Sequence, residues 1–406
     1  MIKTIISVIS LIMISNAIIA NTTYDKTILG IDRIEEFHYL FKDKKTGLIT
    51  NKTGANNQGI SSIDIMKSQT LLQALFSPEH GIRGDTDAGK NITDHKDSKT
   101  NLPVFSLYGG EEKLAPSYEM LKDVDILAYD IQDVGARFYT YVSTMAKAMQ
   151  ACAKYNKEFV VFDRPNPLSG SIVEGGVITS GYTSFVGLIP TPIRYGLTPG
   201  ELAGYINKKM NINCTLHIIP MKNWKRKMFW SDTGLKWIAP SPNIPTPNTA
   251  LIYAGTCLLE GTNISEGRGT EKPFTVIGAP WIDSKQLSAE MNKLNLDGAA
   301  FSPRSFTPKN NKYKGEECHG IEIIITDRNK FKAVSTGVAI IYTIKNLYSD
   351  KFEYRKPKNN ERWWIDLLTG SSLMRIGNLS LLQLINRWNL YSDIFKKETA
   401  NYYLYE

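Results

Sequence analysis

A chain of 406 residues, 42% of them hydrophobic and 22% charged, is long enough for two ordinary globular domains and too apolar to remain disordered. Its net charge of +8 comes from 48 basic and 40 acidic residues spread evenly, which describes a soluble surface drawn mildly towards anionic polymers. The one basic cluster, residues 222–227, stands outside any nucleic-acid-binding framework, so nucleic acid is not an expected partner.

Residues 1–20 place Lys3 ahead of a short stretch of apolar and small residues. This is the pattern of a cleaved secretory signal: the apolar core is shorter than a membrane span, and no basic stop-transfer flank follows. An exported protein, periplasmic or extracellular, is therefore expected, with no stable membrane insertion once the signal is removed.

Four apolar runs then share one grammar. Residues 46–50 lead into Asn51, and 71–76 end at Pro78 and Gly81 with Glu79 and His80 held between them. Residues 124–129 lead into Asp130 and Asp133, and 159–162 into Asp163 and Arg164. Helical stretches such as 141–155 separate the runs, which implies right-handed crossovers and a mostly parallel sheet. All the carboxyl ends then lie on one rim, where open α/β sheets bind ligands. Asn51, Glu79, Asp130, Asp133, Asp163 and Arg164 are expected to converge there. Asp130 and Asp163 also read as helix caps, and Arg137 and Arg164 as structural ion pairs at strand ends.

Pro190, Pro192 and Pro199 mark a crossing segment, and Thr198-Pro199-Gly200-Glu201 reads as a capped helix start. We place a domain boundary near residue 188, giving domains 21–188 and 189–406. Beyond it, 214–221 and 321–326 read as strands, and 249–259 and 337–347 as buried helices. Two rigid polar loops are expected to face the rim: the proline-rich 239–246, with Asn243, and the glycine-punctuated 260–270, with Glu266 and Arg268. The expected fold class is α/β, a mostly parallel sheet domain plus a smaller mixed α/β domain, with a cleft between them. The sequence leaves the oligomeric state open.

Several chemistries find no support. The four cysteines are widely spaced, with no C-x-x-C pair, and are expected as buried free thiols; the five histidines lack metal-ligand spacing. Residues 84–91 nearly spell a phosphate-binding loop, but Asn91 stands where magnesium needs a hydroxyl, and no strand leads in. No G-x-S-x-G elbow occurs. Neither a metal nor a cofactor is expected.

Longer motifs occur in order across nearly the whole mature chain. They are Gly47-Leu48-Ile49-Thr50-Asn51, Ser77-Pro78-Glu79-His80-Gly81, the stretch 130–141 beginning Asp130-Ile131-Gln132-Asp133-Val134-Gly135, Asp163-Arg164-Pro165-Asn166-Pro167, the loop 240–246 and the loop 260–270. Together they resemble the exo-β-N-acetylmuramidases of the NamZ type, formerly a bacterial domain of unknown function. The resemblance implies a Rossmann-like amino-terminal domain, a smaller carboxyl-terminal domain and an active site between them. It also implies release of N-acetylmuramic acid from the non-reducing ends of peptidoglycan fragments, with a catalytic glutamate matched here by Glu79.

Glycoside hydrolysis generally needs a protonated carboxyl group for the leaving oxygen and a second group to assist attack. Glu79 is the expected acid. Asp130, Asp133 and Glu266 compete for the second role, and the substrate's own 2-acetamido group could take it instead. The lactyl carboxylate of muramic acid calls for an arginine fork, so Arg83, Arg137 and Arg268 are candidates. His80 is expected to bind a hydroxyl or orient Glu79; Asn51, Tyr139, Asp163, Arg164 and Asn243 complete the expected substrate-binding set. The alternative reading is an exported muropeptide- or sugar-binding protein without turnover, which needs no proton donor.

Overall fold

The computed structural model describes residues 24–79, 81–82, 94–110, 113–357 and 361–406. The expected signal segment, the loop at 84–91, His80 and Arg83 lie outside the described residues.

After a 3-10 segment at Ile31–Leu40, the chain forms β1 (Lys45–Thr50), α1 (Ser62–Gln69), β2 (Leu71–Ser77), β3 (His95–Lys96), β4 (Pro103–Ser106) and α2 (Tyr118–Leu121). It continues through β5 (Ile126–Asp130), α3 (Tyr141–Lys154), β6 (Glu158–Phe162), α4 (Pro199–Lys209) and β7 (Thr215–Ile219). The strands make a seven-stranded sheet in the order β3-β4-β2-β1-β5-β6-β7. Every pairing is parallel except the edge pair of β3 with β4. From β1 the chain builds outward through β2 and β4 on one side, then returns to build β5, β6 and β7 on the other. The order thus reverses between β1 and β5, and their carboxyl ends flank the crevice that this topology opens.

The apolar runs are continuous because both faces of the sheet are covered. Successive side chains point to opposite faces. Leu48, Leu75, Ile126 and Val160 pack with Ile31, Ile34, Ile63 and Met66 on one face. Ile49, Phe76, Leu127 and Phe159 pack with Met145, Met149, Leu202 and Ile206 on the other.

Helix α4 starts as expected, with Thr198 and Glu201 forming a reciprocal capping box and Pro199 in the first turn. The sheet nevertheless runs past residue 188. Strand β7 pairs in parallel with β6 from Glu158 opposite Thr215 to Phe162 opposite Ile219. The prolines at 190–199 therefore mark a crossover within the first domain, because they lead into its last helix and strand.

The second domain comprises α5 (Pro247–Thr256), β8 (Val276–Ala279), α6 (Ser284–Lys293), β9 (Ala299–Phe306), β10 (Cys318–Ile325), α7 (Ala333–Leu347), α8 (Trp364–Thr369), α9 (Leu373–Ile376) and α10 (Leu381–Thr399). Its sheet is antiparallel, in the order β8-β10-β9. Edge strand β9 contains Pro303, which obscures it in sequence and is tolerated only because one side of the strand is unpaired. Helices α5 and α7 cross with almost no gap. A Cβ at Gly255 would lie 1.8 Å from the Ala333 carbonyl oxygen, and one at Gly337 would lie 2.2 Å from that of Gly255. All four cysteines are buried.

Candidate active site

Strand β2 ends where Pro78 removes a backbone donor, and Gly81, at φ 78°, closes the following turn with its N–H on the Pro78 carbonyl at 3.3 Å. This turn lifts Glu79 onto the carboxyl rim, where it lines a cavity of about 370 Å³ enclosed by both domains. Thr140, the residue before α3, makes no capping bond with its side chain. Its hydroxyl instead donates to Glu79 Oε2 at 3.1 Å. Tyr108, just beyond β4, also bonds to Glu79; burial first, and then that carboxylate, push its hydroxyl far above the usual tyrosine range, so it stays protonated.

An aromatic wall joins the two domains. Tyr139 packs edge-on against Tyr141 at 4.9 Å and against Tyr253 at 5.9 Å. Tyr253 in turn meets Phe138 at 5.3 Å and Phe274 at 4.7 Å. Phe138, Tyr139, Tyr253 and Phe274 all line the cavity, a surface suited to the apolar face of a sugar ring. Helix α5 carries Tyr253, so the close packing of Gly255 on α7 fixes where that ring stands.

Beside the wall, the short 3-10 turn Cys257–Gly261 presents Glu260, and the following loop presents Arg268. Arg268 ion-pairs with Glu260, approaches Glu266 at 3.5 Å, and lies over the Phe274 ring at 5.0 Å. Burial alone would pull its pKa down, but the carboxylates of Glu260 and Glu266 outweigh it and hold the guanidinium charged. Asn243, from the proline-rich loop, completes this side.

Of the residues expected in one cleft, Glu79, Tyr139, Asn243 and Arg268 line this cavity. The others among the described residues do not line it, and each is held by neighbours. Asp130 is fully buried, paired with Arg164 through contacts of 2.6 and 2.7 Å and bonded by the Ser62 hydroxyl. Asp133 accepts from the Gly135 N–H at 2.6 Å and from the Tyr195 hydroxyl, and burial pushes its carboxyl group up to about 6. Asp163 caps α4 through the Gly200 N–H at 2.7 Å and accepts from Thr198 at 2.8 Å and from Tyr405; burial pushes it up to about 7. Glu266 is buried behind Arg268 and takes Lys312 at 3.0 Å. Asn51 turns its oxygen to the Thr53 N–H and hydroxyl at 2.9 and 2.6 Å.

Arg137, expected as a partner for a substrate carboxylate, is spent on backbone carbonyls. It donates to Gly176 at 2.6 Å, to Thr191 at 2.5 Å and to Leu368, in the last turn of α8, at 2.8 Å. A helix carboxyl end offers partial negative charge, which accommodates the cation, while burial pulls its pKa down to about 9. It therefore clamps α8 to the first domain and stays out of the cavity.

The sequence reading passed over Thr140, Tyr108 and Glu260. Thr140 and Glu260 sit inside motifs already singled out, at 130–141 and 260–270. Tyr108 follows the short edge-adjacent strand β4, whose pattern carries little signal. Among the described residues no group of three or more His, Cys, Asp or Glu side chains could hold a metal ion.

Comparison with known proteins agrees with this architecture. Residues 46–248 match the family described as exo-beta-N-acetylmuramidase NamZ, N-terminal, and residues 251–405 match its C-terminal counterpart. The chain is 46% identical over 382 residues, 93% of its length and 91% of the relative's, to the peptidoglycan beta-N-acetylmuramidase NamZ of Bacillus subtilis (strain 168). It is also similar to two solved structures of DUF1343 family proteins from Bacteroides fragilis NCTC 9343. The first is 38% identical with a TM-score of 0.87, the second 30% identical with a TM-score of 0.76, and in both cases 94% of this chain and 99% of the other are covered.

Proposed function

The chain belongs to the exo-β-N-acetylmuramidase NamZ family, and we propose that it releases N-acetylmuramic acid from the non-reducing ends of peptidoglycan fragments, with Glu79 as the general acid. The observation that carries the acid assignment is the place of Glu79: at a strand end, bonded by two hydroxyl donors, in one cavity with an aromatic wall and with room for a terminal sugar. In this reading one sugar ring packs on Tyr139 and Tyr253, and the leaving oxygen lies beside Glu79, which gives it a proton as the glycosidic bond breaks.

Glu260 is the other carboxylate lining the cavity among the described residues. We assign it, ahead of Asp130, Asp133 and Glu266, to assisting attack at the anomeric carbon, either by orienting water or by orienting the substrate's acetamido group. Arg268, charged and lining the same cavity, is the proposed partner of the lactyl carboxylate. Neither role calls for a metal or a cofactor.

Residues 1–20 support export of the chain to where such fragments arise. Sequencing the amino terminus of protein recovered from the wall or periplasmic fraction tests this; an intact terminus on cytoplasmic protein contradicts it. A chromogenic aryl β-N-acetylmuramide tests the activity. Steady release of the aryl group over many turnovers is expected, whereas stoichiometric binding without release identifies a sugar-binding protein.

A further inference from the structure

A second cavity opens on the same rim, among the loops that follow β1, β5 and β6. It encloses about 200 Å³ and is lined by Thr53, Asn57, Gln132, Arg164, Trp230 and Lys236, among others. Three polar atoms of these residues are buried and have no hydrogen-bond partner among the described residues: Gln132 Oε1, Asn57 Oδ1 and Trp230 Nε1. Gln132 is 2% exposed and Trp230 6%.

The orientation of the two carboxamides is imposed by their own nitrogens. Gln132 Nε2 donates to the carbonyls of Asp133 and Pro165, both at 2.8 Å, which leaves its oxygen facing the other way as an acceptor. Asn57 Nδ2 donates to the Thr27 carbonyl at 2.8 Å, which fixes its oxygen likewise. The indole N–H can only donate. Arg164 is engaged by Asp130 and the Ala55 carbonyl, and the exposed Lys236 stands at the mouth.

A ligand that answers all three atoms must bring two donors and one acceptor. An inorganic anion is chiefly an acceptor and would set its negative charge against both carboxamide oxygens. A metal ion would leave the indole N–H unmet and would sit beside Arg164. Hydroxyl groups donate and accept, and they fit both needs. Liquid water takes about 30 Å³ per molecule, so this is the space of a handful of waters: room for a triose- to hexose-sized ligand, too little for a disaccharide.

We propose that this second cavity is a binding site for a small polyhydroxy compound, a polyol or monosaccharide, with a carboxylate on it favoured by Lys236. It is separate from the cavity that holds Glu79, and it stands whether or not the chain is a hydrolase.

Indole N–H resonances of the full mature protein provide the test, with the Trp230 signal assigned by its loss in Trp230→Phe. Glycerol, glucose and glucuronate are titrated separately, with inorganic phosphate as the anion control. At least one hydroxyl compound is expected to shift the Trp230 signal saturably in the millimolar range, with glucuronate ahead of glucose. The shift should persist in Glu79→Gln, and Asn57→Leu should weaken it by about tenfold. The proposal is overturned if no hydroxyl compound gives a saturable shift, if phosphate alone does, or if Asn57→Leu binds as wild type. A crystal of the wild-type protein soaked in glucuronate gives a reading independent of either variant: density on Gln132 and Trp230 supports the site, and density confined to the Glu79 cavity overturns it.

Discussion

Thr140 spends its hydroxyl on Glu79 rather than on the start of its own helix: Oγ1 donates to Glu79 Oε2 at 3.1 Å, and the first turn of α3 goes without a side-chain cap. A threonine before a helix would ordinarily cap it, and forgoing that bond costs roughly 1 kcal/mol. The bond gained fixes one carboxyl oxygen of a residue that lines the cavity. Thr140→Val should therefore lower kcat by about 10- to 100-fold, the worth of a hydrogen bond to a charged group. Thr140→Ser should restore most of it. A purely structural role would show instead as a fall in melting temperature with kcat intact.

Glu79→Gln keeps the shape but cannot donate a proton. With a natural disaccharide, kcat should fall by about 10²- to 10⁴-fold, the usual worth of general acid catalysis. An aryl muramide with a good leaving group needs little protonation and should lose much less. Equal losses on both substrates would make Glu79 the nucleophile or base, and near-normal turnover of the disaccharide by a folded variant would remove it from the mechanism.

Specificity for muramic acid over N-acetylglucosamine is expected to rest on Arg268, since the lactyl carboxylate is the charge that separates the two sugars. Arg268→Met should erase the preference, because a desolvated charge pair left half made costs about 2 to 5 kcal/mol. The readout is the ratio of kcat/KM values for matched aryl glycosides. The variant also releases Glu260 and Glu266 from their cation, so the ratio is the quantity to compare, whatever happens to the absolute rates. A wild-type ratio would place recognition elsewhere.

Burial raises Asp133 from 3.8 to about 6 and Asp163 from 3.8 to about 7. Both therefore hold a proton more tightly folded than unfolded, and their contribution to stability is whole below the unfolded value. It declines as pH rises and is lost once pH passes about 6 for Asp133 and about 7 for Asp163. Each pKa unit corresponds to about 1.4 kcal/mol. Asp133→Asn, which does not titrate, should gain on the wild type by on the order of 1 to 3 kcal/mol between about pH 4 and pH 7. Urea melts at each pH measure the difference, and a difference that stays constant contradicts the assignment.

Gly255→Ala should destabilise the second domain by about 1 to 3 kcal/mol or more, because a methyl group 1.8 Å from the Ala333 carbonyl oxygen forces α5 away from α7. Tyr253 moves with α5, so KM should rise along with the loss of stability. A variant with unchanged melting temperature would show that the helices accommodate the methyl group.

Much of the fold was legible locally. The parallel strands appeared as continuous apolar runs ending in polar residues, and the start of α4 was spelled by Thr198, Pro199 and Glu201. Pro78 and Gly81 placed Glu79 on the rim. Each of these signals works over a few residues, within the reach of backbone sterics and side-chain caps. The pairing of β7 with β6 beyond residue 188 was not legible, because prolines report that the chain turns, and whether it then rejoins the same sheet depends on the partner that β7 finds.

The division of labour on the rim belongs to the tertiary structure. Asp130, Asp133, Asp163, Arg137 and Arg164 have the residue types of a catalytic cleft, and the sequence placed them on the same rim as Glu79. What separates them is who reaches them: Tyr405 comes to Asp163 across 242 positions, and Leu368 comes to Arg137 across 231. A buried polar group must be satisfied by some partner, and when the fold supplies one the group becomes structure. Sequence could say which groups stand at the strand ends; among the described carboxylates, long-range packing left Glu79 and Glu260 at the cavity and enclosed Asp130, Asp133, Asp163 and Glu266.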